Sequence, residues 1–215
     1  MAYLNLDPTV YKQLYDSCTN DAQWDVRGVG TASDCRAGSL SGAYPNVILM
    51  DTGTDTGGKC SANFTGKTGA NVNNMKFGSI YTYQAMINID TLADVTDDYV
   101  FIIGQTDGWV FGGPGNGVYF TYDRSTNVNW LCVSNNASTP TSTDSGVAVT
   151  AGWHKLEIQC DASSAKYFID GVLVATNTTN LPTSGFSVNS FLVFKSAGTN
   201  SRKFYQNYFN YIQVI

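Results

Sequence analysis

Residues 151–175, AGWHKLEIQCDASSAKYFIDGVLVA, alternate apolar and polar side chains and then reverse at Asp170-Gly171. Leu156, Ile158 and Cys160 form an apolar face, and Lys155, Glu157 and Gln159 form a polar one. That two-residue period belongs to a strand buried on one side. Past a short link at 161–165, the run 166–169 meets Asp170-Gly171 and residues 172–175 run back. An Asp-Gly between apolar runs closes a two-residue hairpin, because both turn residues take positive φ. Such a unit buries its apolar face only against more strands, so the chain is constrained to sheets.

With 215 residues the chain is long enough for one large β domain with a sizeable core. Charged residues make up only 13% against 43% hydrophobic, with 21 Gly, 13 Tyr and 11 Phe. This is the profile of a sandwich or barrel with many turns. A net charge of −5 with scattered Lys and Arg leaves no nucleic-acid footprint. No apolar run approaches membrane-spanning length.

Residues 1–18, MAYLNLDPTVYKQLYDSC, have no basic start followed by an apolar stretch, so no secretory signal is expected. Asp7 as N-cap, Pro8 in the first turn and the stripe Val10, Tyr11, Leu14, Tyr15 predict one short helix over residues 8–17. Residues 1–20 are therefore expected to be a helical anchor and 21–215 a β domain. The five cysteines are odd in number and include no C-x-x-C, which excludes a complete disulfide framework and argues against a zinc site. Cys132 and Cys160 fall inside strand patterns as small core residues; among Cys18, Cys35 and Cys60 there is room for one bridge. Synthesis in a reducing cytoplasm is expected. Sequons at Asn63, Asn136 and Asn177 carry little weight in a chain so rich in Asn, Ser and Thr.

From residue 78 the pattern is almost wholly β: 80–89, 99–103, 118–122, 130–133, the hairpin above, 191–194 and 208–214 read as strands. Residues 104–117 form a glycine-rich excursion and 134–145 a Ser/Thr/Asn-rich loop. With no βαβ alternation, this spacing predicts an all-β, antiparallel two-sheet sandwich.

The segments DSGVAVTAGWHKLEI (144–158), KYFIDGVLVA (166–175) and NYFNYIQV (207–214), with IIGQTDG (102–108) and GVYFTYD (117–123) upstream, resemble the concanavalin-A-like (laminin-G-like) jelly rolls. The likeness spans the chain from residue 80 onward and implies a jelly roll. That fold hosts lectins, glycosidases, polysaccharide lyases, adhesion modules and virion proteins, so it leaves function open. Within the motif, Trp153 is expected to plug the end of the core and His154 to cap a loop carbonyl.

Glycosidases of the superfamily resemble one another in a strand reading E-x-D-x-x-E, with two carboxylates about 5 Å apart. Glu157 is the only glutamate here, and Asp161 lies past the end of its strand. The candidate pairs Asp94/Asp97/Asp98 and Asp51/Asp55 read as turn formers. A lyase of this fold needs a Tyr with a His or Gln and an Arg. Here one histidine, His154, and one mid-chain arginine, Arg124, are all that is on offer. There is no G-x-S-x-G elbow, P-loop or dinucleotide fingerprint. No enzymatic activity is expected.

A sugar site needs an aromatic face and planar polar groups. QTDGWVFGGPGN (105–116) offers Asp107, Trp109, Phe111 and Asn116 in one loop. The same residues suit a subunit interface, and Trp109 also suits a loop anchor. DTGTDTGG and DVTDD are rich in oxygen, which leaves calcium open, but they lack the D-x-D-x-D-G spacing of a calcium loop, so calcium is not indicated and no other cofactor or metal is expected. The resemblance, joined to these absences, implies a non-enzymatic virion protein of a tailed bacteriophage. A capsid decoration protein made in the host cytoplasm is the form expected. Its expected partners are itself, as a homo-oligomer and by default a trimer, and other virion proteins such as the major capsid protein. The alternative is a carbohydrate-binding module that partners glycans, with a polysaccharide lyase a distant third.

Overall fold

The computed structural model describes residues 11–16, 18, 24–31, 33–38, 47–64, 75–107, 113–183, 185 and 188–214. They form two antiparallel sheets packed face to face, with no helix among the described residues. One sheet has eight strands. In spatial order they are β13 (Val172–Asn177), β12 (Ala165–Ile169), β11 (Gly152–Cys160), β6 (Tyr81–Ile89), β15 (Lys203–Val214), β4 (Val47–Asp51) and β3 (Asp34–Gly38), with β1 (Tyr11–Asp16) also against β15. The seven-stranded sheet runs β10 (Thr139–Ala148), β9 (Asn127–Asn136), β8 (Gly117–Asp123), β7 (Tyr99–Thr106), β14 (Val188–Lys195), β5 (Lys59–Phe64) and β2 (Trp24–Val29). The expected all-β sandwich is what forms, and the weakly patterned first third supplies strands to both sheets.

The expected N-terminal helix does not form over its described part. Tyr11–Asp16 is a strand, with Tyr11 opposite Val214 and Asp16 opposite Phe209; residues 1–10 lie outside the described residues. Tyr favours extended backbone as readily as it joins a helical stripe, and the open edge of β15 supplies the backbone partners. Gln13 Nε2 reinforces the pair by donating to Asn210 Oδ1 at 2.9 Å. Deleting residues 1–16 therefore uncovers the backbone of residues 209–214. The expected outcome is a lower melting temperature with association on heating, read by circular dichroism and light scattering. An unchanged melt would show that β1 adds nothing.

Residues 134–145 are a second departure: instead of a loop they form the end of β9, a tight turn and most of β10. Ala137 and Ser138 make that turn with φ of 49° and 63°.

Aromatic rings from both sheets fill the core. Phe101 is fully buried, with ring centroids at 5.2 Å from Trp130, 5.7 Å from Tyr122 and 6.0 Å from Phe204. Cys132 and Cys160 are buried thiols and Cys18 is buried too, whereas Cys35 on β3 is bridged to Cys60 on β5, tying one sheet to the other.

The hairpin turn forms as expected, with Asp170 at φ 51° and Gly171 at 86°. Trp153 does not plug the core: it is 39% exposed. Leu156, Ile158 and Cys160 point inward, so strand alternation sends His154 inward and Trp153 outward. His154 closes the end of the core, its ring edge-on to Trp130 at 5.7 Å. It caps the Thr150 carbonyl at 3.0 Å, as expected, and also has a carboxylate partner, Asp170 Oδ2, at 3.0 Å. The other Asp170 oxygen accepts the Lys155 N–H at 2.8 Å. The motif shared with the jelly rolls is thus one structural clasp between two strands and a turn.

Candidate functional site

On β5 the residues Cys60, Ala62 and Phe64 belong to the core between the sheets, so Ser61 and Asn63 face the other way. The same alternation turns Ser190 and Leu192 of β14, Ile102 and Thr106 of β7, Tyr119 of β8 and Val133 of β9 to this outer face. Ile102, Tyr119, Val133 and Leu192 form a second apolar cluster there. Burial pushes the Tyr119 hydroxyl up to about 12, with the Asn135 side chain opposing the shift.

Beside that cluster runs a polar strip. Thr106 Oγ1 lies 2.7 Å from Ser190 Oγ, which donates to Asn63 Oδ1 at 2.7 Å. Asn63 Nδ2 and Ser61 Oγ are buried and have no hydrogen-bond partner. A buried amide or hydroxyl left unpaired costs about 1–3 kcal/mol, so these two atoms are places where an ordered water or a ligand group would be held. Sequence reasoning missed Ser61, Asn63, Thr106 and Ser190. The available signal was the alternation of Ser61 and Asn63 with Cys60, Ala62 and Phe64.

Of the four residues singled out in the 105–116 loop, the structure brings Asp107 and Asn116 together; Trp109 and Phe111 lie outside the described residues. Asp107 Oδ2 accepts the Asn116 backbone N–H at 2.8 Å and its amide at 3.0 Å. Asn116 Oδ1 accepts the Ala137 N–H at 2.9 Å, and Ser138 N donates to the Gly115 carbonyl at 2.7 Å. The pair clamps the ends of β7 and β8 to the β9–β10 turn, next to Thr106 at the head of the strip.

The acidic candidates are each engaged in building the fold. Glu157 accepts amides from Gln84 at 2.8 Å and Gln159 at 2.7 Å. Asp161 takes the N–H groups of Ser163 and Ser164, which hold its carboxyl down at about 2. Asp94 and Asp97 approach the same Arg202 nitrogen, at 3.0 and 3.4 Å. The N–H groups of Asp97 and Thr96 hold the Asp94 carboxyl below the ordinary range. Asn200 does the same for Asp97. Asp55 is lowered by the Thr31 N–H, and Asp51 accepts from Gly53 N and Ser201 Oγ. A hydrolytic pair needs one carboxyl raised so that it can give a proton, and each of these resolved shifts runs the opposite way.

The pattern describing the SO2946-like, C-terminal domain matches residues 44–205. The chain belongs to this family. No curated protein matches it in sequence. Solved structures similar to this SO2946-like chain share the jelly-roll fold. An uncharacterized protein (Rv0315 ortholog) from Mycobacterium paratuberculosis superposes with a TM-score of 0.62 at 13% identity, over 92% of this chain and 99% of its own. The carbohydrate recognition domain of Emp47p gives 0.62 at 11% identity, over 98% and 100%. The Bacillus licheniformis beta-glucanase gives 0.61 at 12% identity, over 93% and 97%. At these identities the likeness speaks to fold alone.

In this SO2946-like domain the remaining candidates are also accounted for. Arg124 sits in the β8–β9 turn. Both ring nitrogens of His154, the other half of a lyase set, are occupied by Asp170 and Thr150. Among the described residues no three His, Cys, Asp or Glu side chains group as a metal site. Two of the three sequon asparagines are buried: Asn63 is in the strip, and Asn177 donates to the Cys132 carbonyl at 3.0 Å.

Proposed function

We propose that this protein is a non-enzymatic, carbohydrate-binding jelly roll whose site is the outer face of the seven-stranded sheet. The observation that carries the reading is the unpartnered pair Asn63 Nδ2 and Ser61 Oγ in the polar strip. An amide and a hydroxyl beside the apolar cluster of Ile102, Leu192 and Tyr119 match a sugar ring, which offers hydroxyls on its rim and C–H groups on its face. The similarity to a carbohydrate recognition domain and to glucanases supports the same class of ligand. The engaged carboxylates support binding without hydrolysis.

The test is retention on immobilised polysaccharides and a glycan array. Asn63→Ala is expected to weaken retention about tenfold, the worth of one well-made hydrogen bond to a buried site, while the melt stays cooperative. Trp109→Ala is expected to weaken retention as well. A wild-type protein that holds no glycan would overturn the reading, and release of reducing or unsaturated sugar would overturn its non-enzymatic part.

A narrower reading places the protein on the surface of a tailed-phage particle, by analogy with stand-alone jelly rolls of such virions. The Cys35–Cys60 bridge between the sheets is compatible with that placement, since disulfides persist outside the reducing cytoplasm and lysis delivers a virion there, as it is with any other oxidising location. Finding the protein at stoichiometric amounts in purified particles would support that placement; finding it only in the membrane-bound or soluble host fraction would remove it.

A further inference from the structure

We infer that Asn116-Gly117 is a self-modification site, at which the asparagine cyclises onto the following nitrogen and so loosens the clamp it makes. It rests on the geometry of the clamp and not on the glycan reading. Three features converge there. First, residue 117 is glycine, and with no Cβ its nitrogen meets the least steric opposition on approaching the preceding side chain. Second, Asn116 Oδ1 already accepts the Ala137 N–H at 2.9 Å, a donor placed to stabilise the negative charge that develops on that oxygen during attack. Third, the departing nitrogen, Nδ2, lies 3.0 Å from Asp107 Oδ2, a carboxylate able to pass protons at the leaving group.

The step balances without any co-reactant but water. The Gly117 backbone nitrogen forms a bond to Asn116 Cγ and gives up its proton. The Cγ–Nδ2 bond breaks and the nitrogen leaves as ammonia, closing a five-membered imide. Water then opens the ring at either carbonyl, leaving aspartate or isoaspartate at position 116. Both products lose the amide donor to Asp107; aspartate also sets a carboxylate against Asp107 Oδ2, and two like charges at hydrogen-bond distance repel. The isoaspartate also adds a main-chain carbon just ahead of β8, where Gly117 stands opposite Thr106 and Asn135. The Asp107 half of the clamp is then lost, and the tie from the β7–β8 ends to the Ala137–Ser138 turn is left on the Ser138 N–H to the Gly115 carbonyl and on whatever oxygen still faces Ala137 N–H.

The experiment incubates the full chain at 37 °C and mildly alkaline pH and follows peptide masses, with isoaspartate detected by its methyltransferase. Conversion is expected at position 116 ahead of every other asparagine, and Asn116→Gln, whose ring closure is less favourable, should abolish it. Amide exchange at Ala137 should quicken in the converted protein and equally in Asn116→Asp. A peptide spanning 116–117 that keeps its amide while other asparagines convert would overturn the inference. So would a converted protein in which Ala137 stays as protected as before. Retention on glycans is measured in parallel, so that failure of the binding reading and failure of this one are told apart.

Discussion

Reducing the Cys35–Cys60 bridge is expected to lower the unfolding free energy by about 3.5 kcal/mol, the loop-closure value for cysteines 25 residues apart. The bond joins an edge strand of one sheet to an inner strand of the other. In the unfolded chain it removes conformations that the two halves of the sandwich would otherwise explore. Little of the loss should come from the native side. Cys60 is fully buried and its Sγ lies 3.0 Å from the Asp51 carbonyl, so a reduced thiol has an acceptor waiting. Urea unfolding with and without reductant, and of the Cys35→Ser/Cys60→Ala double variant, measures the effect. The two routes should agree, and a loss under about 1 kcal/mol would mean the unfolded chain is already held compact by other contacts.

Phe101→Ala is expected to cost about 3–5 kcal/mol, the range for emptying a large buried aromatic site. The ring touches partners on both sheets: Trp130 and Tyr122 on its own sheet and Phe204 opposite. Those neighbours are themselves buried and pinned by strand pairing, so they cannot collapse into the space. Val95→Ala, at a position 83% exposed, serves as the comparison and should change stability by less than about 0.5 kcal/mol. Chemical denaturation of the two variants decides the matter; similar midpoints would show that the core relaxes around the missing ring.

The strands with one wet and one buried face were legible in the sequence, because burial writes a two-residue period into them. β6, β11 and β12 were found this way, and the Asp170-Gly171 turn between β12 and β13 was named outright. Edge strands were harder. β10 is solvated along most of its length, so Thr, Ser and Pro there carry no alternation and read as a loop. β1 was misread because its partner, residues 209–214, lies nearly two hundred positions away. Local propensity cannot see such a partner. Trp153 was misplaced although the parity of Leu156, Ile158 and Cys160 already assigned it to the outer face. At the site, Asp107 and Asn116 were recognisable as polar residues flanking a glycine-rich excursion. Ser61, Asn63 and Ser190 were not, since small polar residues within strands look neutral until a sheet places them side by side.

The position of β15 bears on how this molecule comes together. It lies between β6 and β4 and also holds β1, so residues near both ends of the described chain meet on one inner strand. Until residues 203–214 have been synthesised, β6 and β4 have no shared neighbour, and their bare edges stay open to wrong partners. Assembly dominated by such distant contacts is slow, and a nascent chain stalled before residue 203 should be a client for chaperones rather than a half-built domain.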